Sequence, residues 1–125
     1  MQGLFSPATT RWFSDAFAGP TAVQQRGWPA IAAGKHTLML APTGSGKTLA
    51  AFLSCLDRLF EAPLDAEPGT SIVYISPIKA LAYDVQRNLH TPLIGIQRAA
   101  EGMGLTPRIP TCLLYTSDAA DEHSW

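Results

Sequence analysis

The sequence predicts an α/β protein with a parallel sheet flanked by helices. Three observations predict it. An apolar run of strand length, residues 37–41, leads directly into a glycine-bearing turn and then into a helical apolar pattern. A second strand-like run, Ser71-Ile72-Val73-Tyr74-Ile75, is also followed by a helical pattern. Strand and helix in alternation are how parallel neighbours are joined, because a parallel pair needs a long crossover.

The elements follow in chain order. Thr9 or Thr10 is placed to cap a short first helix carrying Trp12, Phe13, Ala16 and Phe17, and Ala18-Gly19-Pro20 breaks it. Thr21 caps a second helix running to Ala33, with Val23, Ile31 and Ala32 as apolar positions and Gly34 as its end. Pro29 lies inside and is expected to kink or divide it, since proline lacks an N–H and presses on the preceding turn. Residues 37–41 form the first strand. The helix from Leu49 to Glu61 places Leu49, Phe52, Leu53, Leu56 and Phe60 at spacings of three and four, one apolar face. The acidic stretch 62–69, with two prolines and a glycine, is a surface loop. The Ile-Val-Tyr run at 71–75 suits a strand buried on both faces. Lys79 to His90 is helical, with Leu81, Ala82, Val85 and Leu89 on one face, and Pro92 opens a further helix through Ala100.

The turn between the first strand and its helix reads Ala41-Pro42-Thr43-Gly44-Ser45-Gly46-Lys47-Thr48. This is a phosphate-binding loop in the strand–turn–helix context that such a loop requires. Gly44 and Gly46 let the chain curl so that the N–H groups of Thr43, Gly44, Ser45 and Gly46 converge on one anion. The helix N-terminus adds partial positive charge. Lys47 is placed to reach the β- and γ-phosphates of a nucleotide, and the Thr48 hydroxyl to ligate Mg²⁺. Lys47 and Thr48 are therefore the candidate catalytic residues.

Bulk composition sets limits. The chain has 125 residues, 46% of them hydrophobic and 15% charged, enough for one domain with a core. No apolar run reaches the ~18 residues of a membrane span, and the N-terminus lacks the pattern of a signal peptide. Cys55 and Cys112 have neither metal-ligand spacing nor the look of a disulfide framework, so a reducing, cytoplasmic setting is expected. The net charge of −1 argues weakly against a nucleic acid partner. Its distribution alters that: Asp118, Asp121 and Glu122 crowd the end, leaving 9 basic and 7 acidic side chains in residues 1–111. A polyanion partner is permitted there.

Two further runs narrow the reading. Upstream lies Phe17-Ala18-Gly19-Pro20-Thr21-Ala22-Val23-Gln24, whose glutamine amide offers the acceptor and donors that read adenine. Alone, Gln24 reads better as a solvent-exposed helix residue beside Gln25. After the second strand comes Ser76-Pro77-Ile78-Lys79-Ala80-Leu81, at the carboxyl end where an open parallel sheet meets its ligands. Ser76, Pro77 and Lys79, at a helix start, are candidates to hold the backbone of a nucleic acid strand. Alone, this too is an ordinary strand-to-helix turn.

Together the three runs, with Gly27-Trp28-Pro29-Ala30-Ile31 and the continuous stretch 74–84, resemble the start of a superfamily 2 helicase of the large helicase-related (Lhr), DExH-box type. The likeness covers roughly residues 4–111. It implies two RecA-like domains with ATP and Mg²⁺ between them, residues 1–111 being the N-terminal part of the first. Gln24 would contact adenine, residues 41–48 would hold phosphate, and residues 76–81 would touch single-stranded DNA. Duplex DNA and RNA stay open as partners, and no membrane is implied. Ala41 stands where the general loop pattern has glycine, which is usual in such helicases. Phe5 is a candidate to stack on adenine, as an aromatic upstream does in relatives.

The likeness stops at residue 111. Residues 112–125 have no counterpart in the family, and 113–122 resemble a translated sequencing-adapter run, so this tail is expected to be non-native. Asp121-Glu122-His123 imitates the start of the family's Asp-Glu-x-His box, but no apolar strand precedes it and Ser124-Trp125 follows it. Without that box, a positioned water and an arginine finger worth roughly 10³–10⁵ in rate, the 125-residue chain is expected to hydrolyse ATP negligibly. A rival from another class is a P-loop kinase or nucleotide-binding module without a nucleic acid partner. A third reading is a chain that cannot fold alone, because half a sheet leaves strand edges unpaired.

Overall fold

The computed structural model describes residue 1 and residues 3–110. It contains four helices: α1 (Pro7–Ala16), α2 (Ala22–Ala32), α3 (Lys47–Glu61) and α4 (Lys79–Gly102). Helices α1 and α4 pack together, as do α2 and α3. The expected tail 112–125, its boundary at 111 and Asp121-Glu122-His123 lie outside the described residues.

Each helix starts and stops for a local reason. The cap of α1 is Ser6, not Thr9 or Thr10: its Oγ accepts from the Thr9 N–H, and Pro7 fills the first turn, where a missing N–H costs nothing. Thr9 is instead buried inside the helix. Thr21 caps α2 as expected, and α2 runs through Pro29 undivided. Its end is a Schellman motif: Gly34 at φ 76° lets the Gly34 N–H reach the Ile31 carbonyl and the Lys35 N–H reach Ala30. The helix expected in two parts, before and after Pro92, is one helix, α4. Proline removes one bond and crowds one carbonyl, a local cost that burial of Pro92, Ile96 and Ala100 offsets.

Neither expected strand forms. Among the described residues, 37–41 and 71–75 carry no sheet ladder, and no parallel sheet is assembled there. The reason lies in where backbone bonds come from. A helix satisfies its N–H and C=O groups within its own segment, whereas a strand needs a neighbour along its length. The apolar composition that reads as two-sided burial faces solvent: Leu40 is 85% exposed and Ile75 86%.

The core joins all four helices: Ala8, Trp12 and Phe13 of α1, Trp28 of α2, Leu53 and Phe60 of α3, and Ile96 and Ala100 of α4. Its centre is aromatic. Phe5 and Phe13 meet the Trp28 ring edge-on, with centroids 5.0 Å and 5.4 Å away, a favoured geometry because ring edges are positive and faces negative. Phe5 is half-buried and packs against this core through the Trp28 ring. The Trp12 indole lies where a Cβ at position 95 would be, so Gly95 is what lets α1 approach α4. A polar clamp ties the start of α1 to α3. The Asp57 carboxylate accepts the Ser6 hydroxyl at 2.6 Å and the Ser6 N–H at 3.2 Å. Charge-assisted bonds of this kind hold a buried carboxylate in place.

Candidate functional site

Residues 41–48 turn as their composition requires. Gly44 and Gly46 both occupy the left-handed region, at φ 81° and 82°. The Ser45 N–H and hydroxyl both donate to the Pro42 carbonyl, at 3.3 Å and 2.6 Å, closing the turn. Helix α3 begins at Lys47, and its cap, Gly46, makes no side-chain bond. The first N–H groups of α3 therefore have no partner inside the helix or from a cap. With the helix dipole behind them, they make a terminus of the kind that suits an anion. Thr43, Gly44, Lys47 and Thr48 are exposed around it, and Ser45 and Gly46 are half-buried.

Gln24 is buried, not on a solvated face, and the structure brings it to the loop. Its Oε1 accepts the Thr21 N–H at 3.0 Å while Thr21 Oγ1 accepts the Gln24 N–H at 3.4 Å, a reciprocal capping box. Its Nε2 then donates to the Gly46 carbonyl at 3.2 Å. One amide therefore fixes both the start of α2 and the last turn of the loop. A Cβ on residue 46 would meet Gln24 Nε2 at 2.5 Å and Thr21 Oγ1 at 3.3 Å. Gly46 is thus required twice, by its backbone and by this contact. Thr21 belongs to the site as well. Sequence reasoning read it only as a cap, although threonine followed three residues later by glutamine is the capping-box signature. Gly27 of α2 also approaches the segment entering the loop: a Cβ there would meet Met39 Sδ at 2.8 Å.

Ser76, Pro77 and Lys79 stand together at the start of α4. Ser76 Oγ donates to the Ile78 carbonyl at 3.1 Å, and Ile78 caps α4 without a side-chain bond, leaving another helix terminus rich in N–H groups. The link to the loop runs through rings: Tyr74, just before Ser76, lies 5.3 Å from Phe52 of α3.

No group of three or more His, Cys, Asp or Glu side chains is placed to hold a metal among the described residues. The Thr48 hydroxyl is exposed at the start of α3, a hard oxygen of the kind Mg²⁺ takes. It fits as one ligand of an ion held mainly by phosphate oxygens and water. No helix among the described residues is long and apolar enough to cross a membrane.

Comparison with known proteins agrees with this geometry. Residues 21–111 match the family model of the DEAD/DEAH box helicases. The chain is 58% identical over 99 residues to the Lhr helicase/uracil glycosylase of Escherichia coli, covering 74% of this chain and 6% of that protein. It is 46% identical over 92 residues to the ATP-dependent helicase Lhr-Core of Sulfolobus acidocaldarius, covering 72% and 10%. A solved structure of the Mycobacterium smegmatis helicase Lhr bound to ssDNA and AMP-PNP superposes with a TM-score of 0.78 at 54% identity, over 87% of this chain and 13% of that one. The chain thus spans about a tenth or less of the curated relatives it matches here. By the match over most of its length, this chain belongs to the DEAD/DEAH box helicase family.

Proposed function

We infer that this chain is the nucleotide-binding start of a motor that couples ATP binding and hydrolysis to movement along a single nucleic acid strand. Residues 1–111 are the first part of its first RecA-like domain, in which 37–41 and 71–75 become strands once neighbours are present. The observation that carries this is the joint between Gln24 and Gly46: a base-reading amide bonded to the phosphate loop itself. The likeness to a helicase solved with ssDNA and a nucleotide supports it.

The roles follow from position. Amides of residues 43–48 hold the phosphates, Lys47 offsets their charge, and Gln24 orients the adenine end. Thr48 would hold Mg²⁺, which when bound neutralises charge between the outer phosphates. Ser76, Pro77 and Lys79 grip the backbone of single-stranded DNA. A cytoplasmic setting goes with a nucleic acid substrate.

ATP turnover by the complete protein carrying this segment tests the reading. Stimulation by single-stranded DNA and preference for ATP over GTP are expected. Equal turnover with either base and no response to DNA would favour the kinase-like rival. The 125-residue chain alone is expected to bind nucleotide without turning it over.

A further inference from the structure

The outer face of α4 carries a pattern that runs on from Lys79, beyond the proposed grip at 76–79. Lys79, Tyr83, Gln86 and His90 recur at spacings of four, three and four, and Arg87 lies one turn beyond Tyr83. Residues so spaced share one helix face. All five are exposed. Gln86, Arg87 and His90 line one shallow, open depression. Ala82, Val85 and Leu89 are half-buried on the flank beside it, and only the later part of the helix, at Pro92, Ile96 and Ala100, enters the core. The first half of α4 is therefore a ledge with an apolar flank and a polar, cationic top. Asp84, its one acidic residue among 79–91, lies three residues before Arg87 and flanks the stripe there.

We propose that this stripe is a track for the nucleic acid strand, extending contact from Lys79 along α4 to His90. It rests on the reading of the chain as a strand-tracking motor. Charge complementarity names the occupant: a polyanion is attracted to Lys79 and Arg87, which outweigh Asp84 and leave this half of α4 cationic. Chemistry narrows it to a single strand. Tyr83 is 46% exposed and presents a ring on which an unpaired base stacks, which a duplex with its bases inside cannot use. Length agrees: eleven residues of helix rise about 16 Å, more than one backbone repeat. Arg87 and Gln86 supply donors for phosphate and sugar oxygens.

The test is fluorescence anisotropy of a labelled oligothymidylate with the complete protein, over a series of salt concentrations. Arg87→Ala is expected to weaken binding and to lower the slope of log affinity on log salt by about 0.7. Arg87→Lys should restore most of the slope. Tyr83→Ala should weaken binding about tenfold. Arg11→Ala removes an equal charge from α1, where Arg11 already pairs with Asp15 at 3.0 Å, and should alter neither quantity. Circular dichroism confirms that each variant folds. Unchanged affinity and slope in Arg87→Ala and Tyr83→Ala, with loss in Lys79→Ala, would overturn the track and assign the stripe to solvent or a protein partner. A parent that binds no strand would sink the underlying reading, and the track with it.

Discussion

The packed face of α3 and the two strand-composition segments are built from similar side chains and end in opposite surroundings. Leu53 of α3 is fully buried, whereas Leu38, of the same chemistry, is 83% exposed. The difference is not hydrophobicity but where each backbone finds its partners. Residues 47–61 close their own hydrogen bonds, so their apolar stripe is free to seek a core. Residues 37–41 and 71–75 have no ladder among the described residues, and most of their side chains stay exposed, Met39, Ala41 and Ile72 being half-buried. A stretch of chain can carry the composition of a core element and still depend on neighbours to become one.

Substitutions sharpen that contrast. Trp28→Ala should be the most damaging, costing about 3–5 kcal/mol in urea denaturation, because it opens a cavity where three aromatic rings meet. Asp57→Ala should cost about 2 kcal/mol by releasing the Ser6 clamp, and hydrogen exchange should show α1 fraying first. The loop glycines make an internal comparison. Both occupy the left-handed region, so alanine at either should cost about 1–2 kcal/mol of backbone strain. Only Gly46→Ala also drives a Cβ into the Gln24 amide. Calorimetry should therefore rank it below Gly44→Ala, and equal melting temperatures would contradict the Gln24–Gly46 joint. Ile75→Thr should change stability by no more than about 0.5 kcal/mol, since its side chain already meets solvent.

Cys55 gives a pH-dependent check of the packed side. Burial raises its thiol pKa above the ordinary 9.0, and the nearby Arg58 guanidinium only partly opposes this. A raised folded pKa means that the folded state holds the proton more tightly. Its contribution is complete below the unfolded pKa and declines as pH rises through the folded one. Stability should therefore fall above about pH 9, and at pH 8 iodoacetamide should modify Cys55 more slowly than a free thiol in a Cys112→Ser background.

Much of the helical half was legible in the sequence, and so was the loop. Spacings of three and four in 49–60 announce α3, Thr21 announces the start of α2, and Gly44 and Gly46 announce a turn that only glycine adopts easily. The cap at Ser6 was hidden because its partner, Asp57, is 51 residues away. Pro29 and Pro92 predict breaks locally, yet packing carries both helices through them. Gln24 was named for the base it could read. Its bond to Gly46 could not be foreseen from spacing, since it joins α2 to the loop in space. The strands failed for the converse reason: their pattern states what they would bury, and nothing in a single segment supplies the neighbour.

The claim on which the rest depends is that the amides of residues 43–48, with Lys47 behind them, hold the phosphates of ATP. Titration of a fluorescent ATP analogue into the complete protein and its Lys47→Ala variant tests this most directly. The account predicts a loss of at least about tenfold in affinity, the equivalent of roughly 1.4 kcal/mol, with the fold retained. An affinity indistinguishable from the parent's would contradict it.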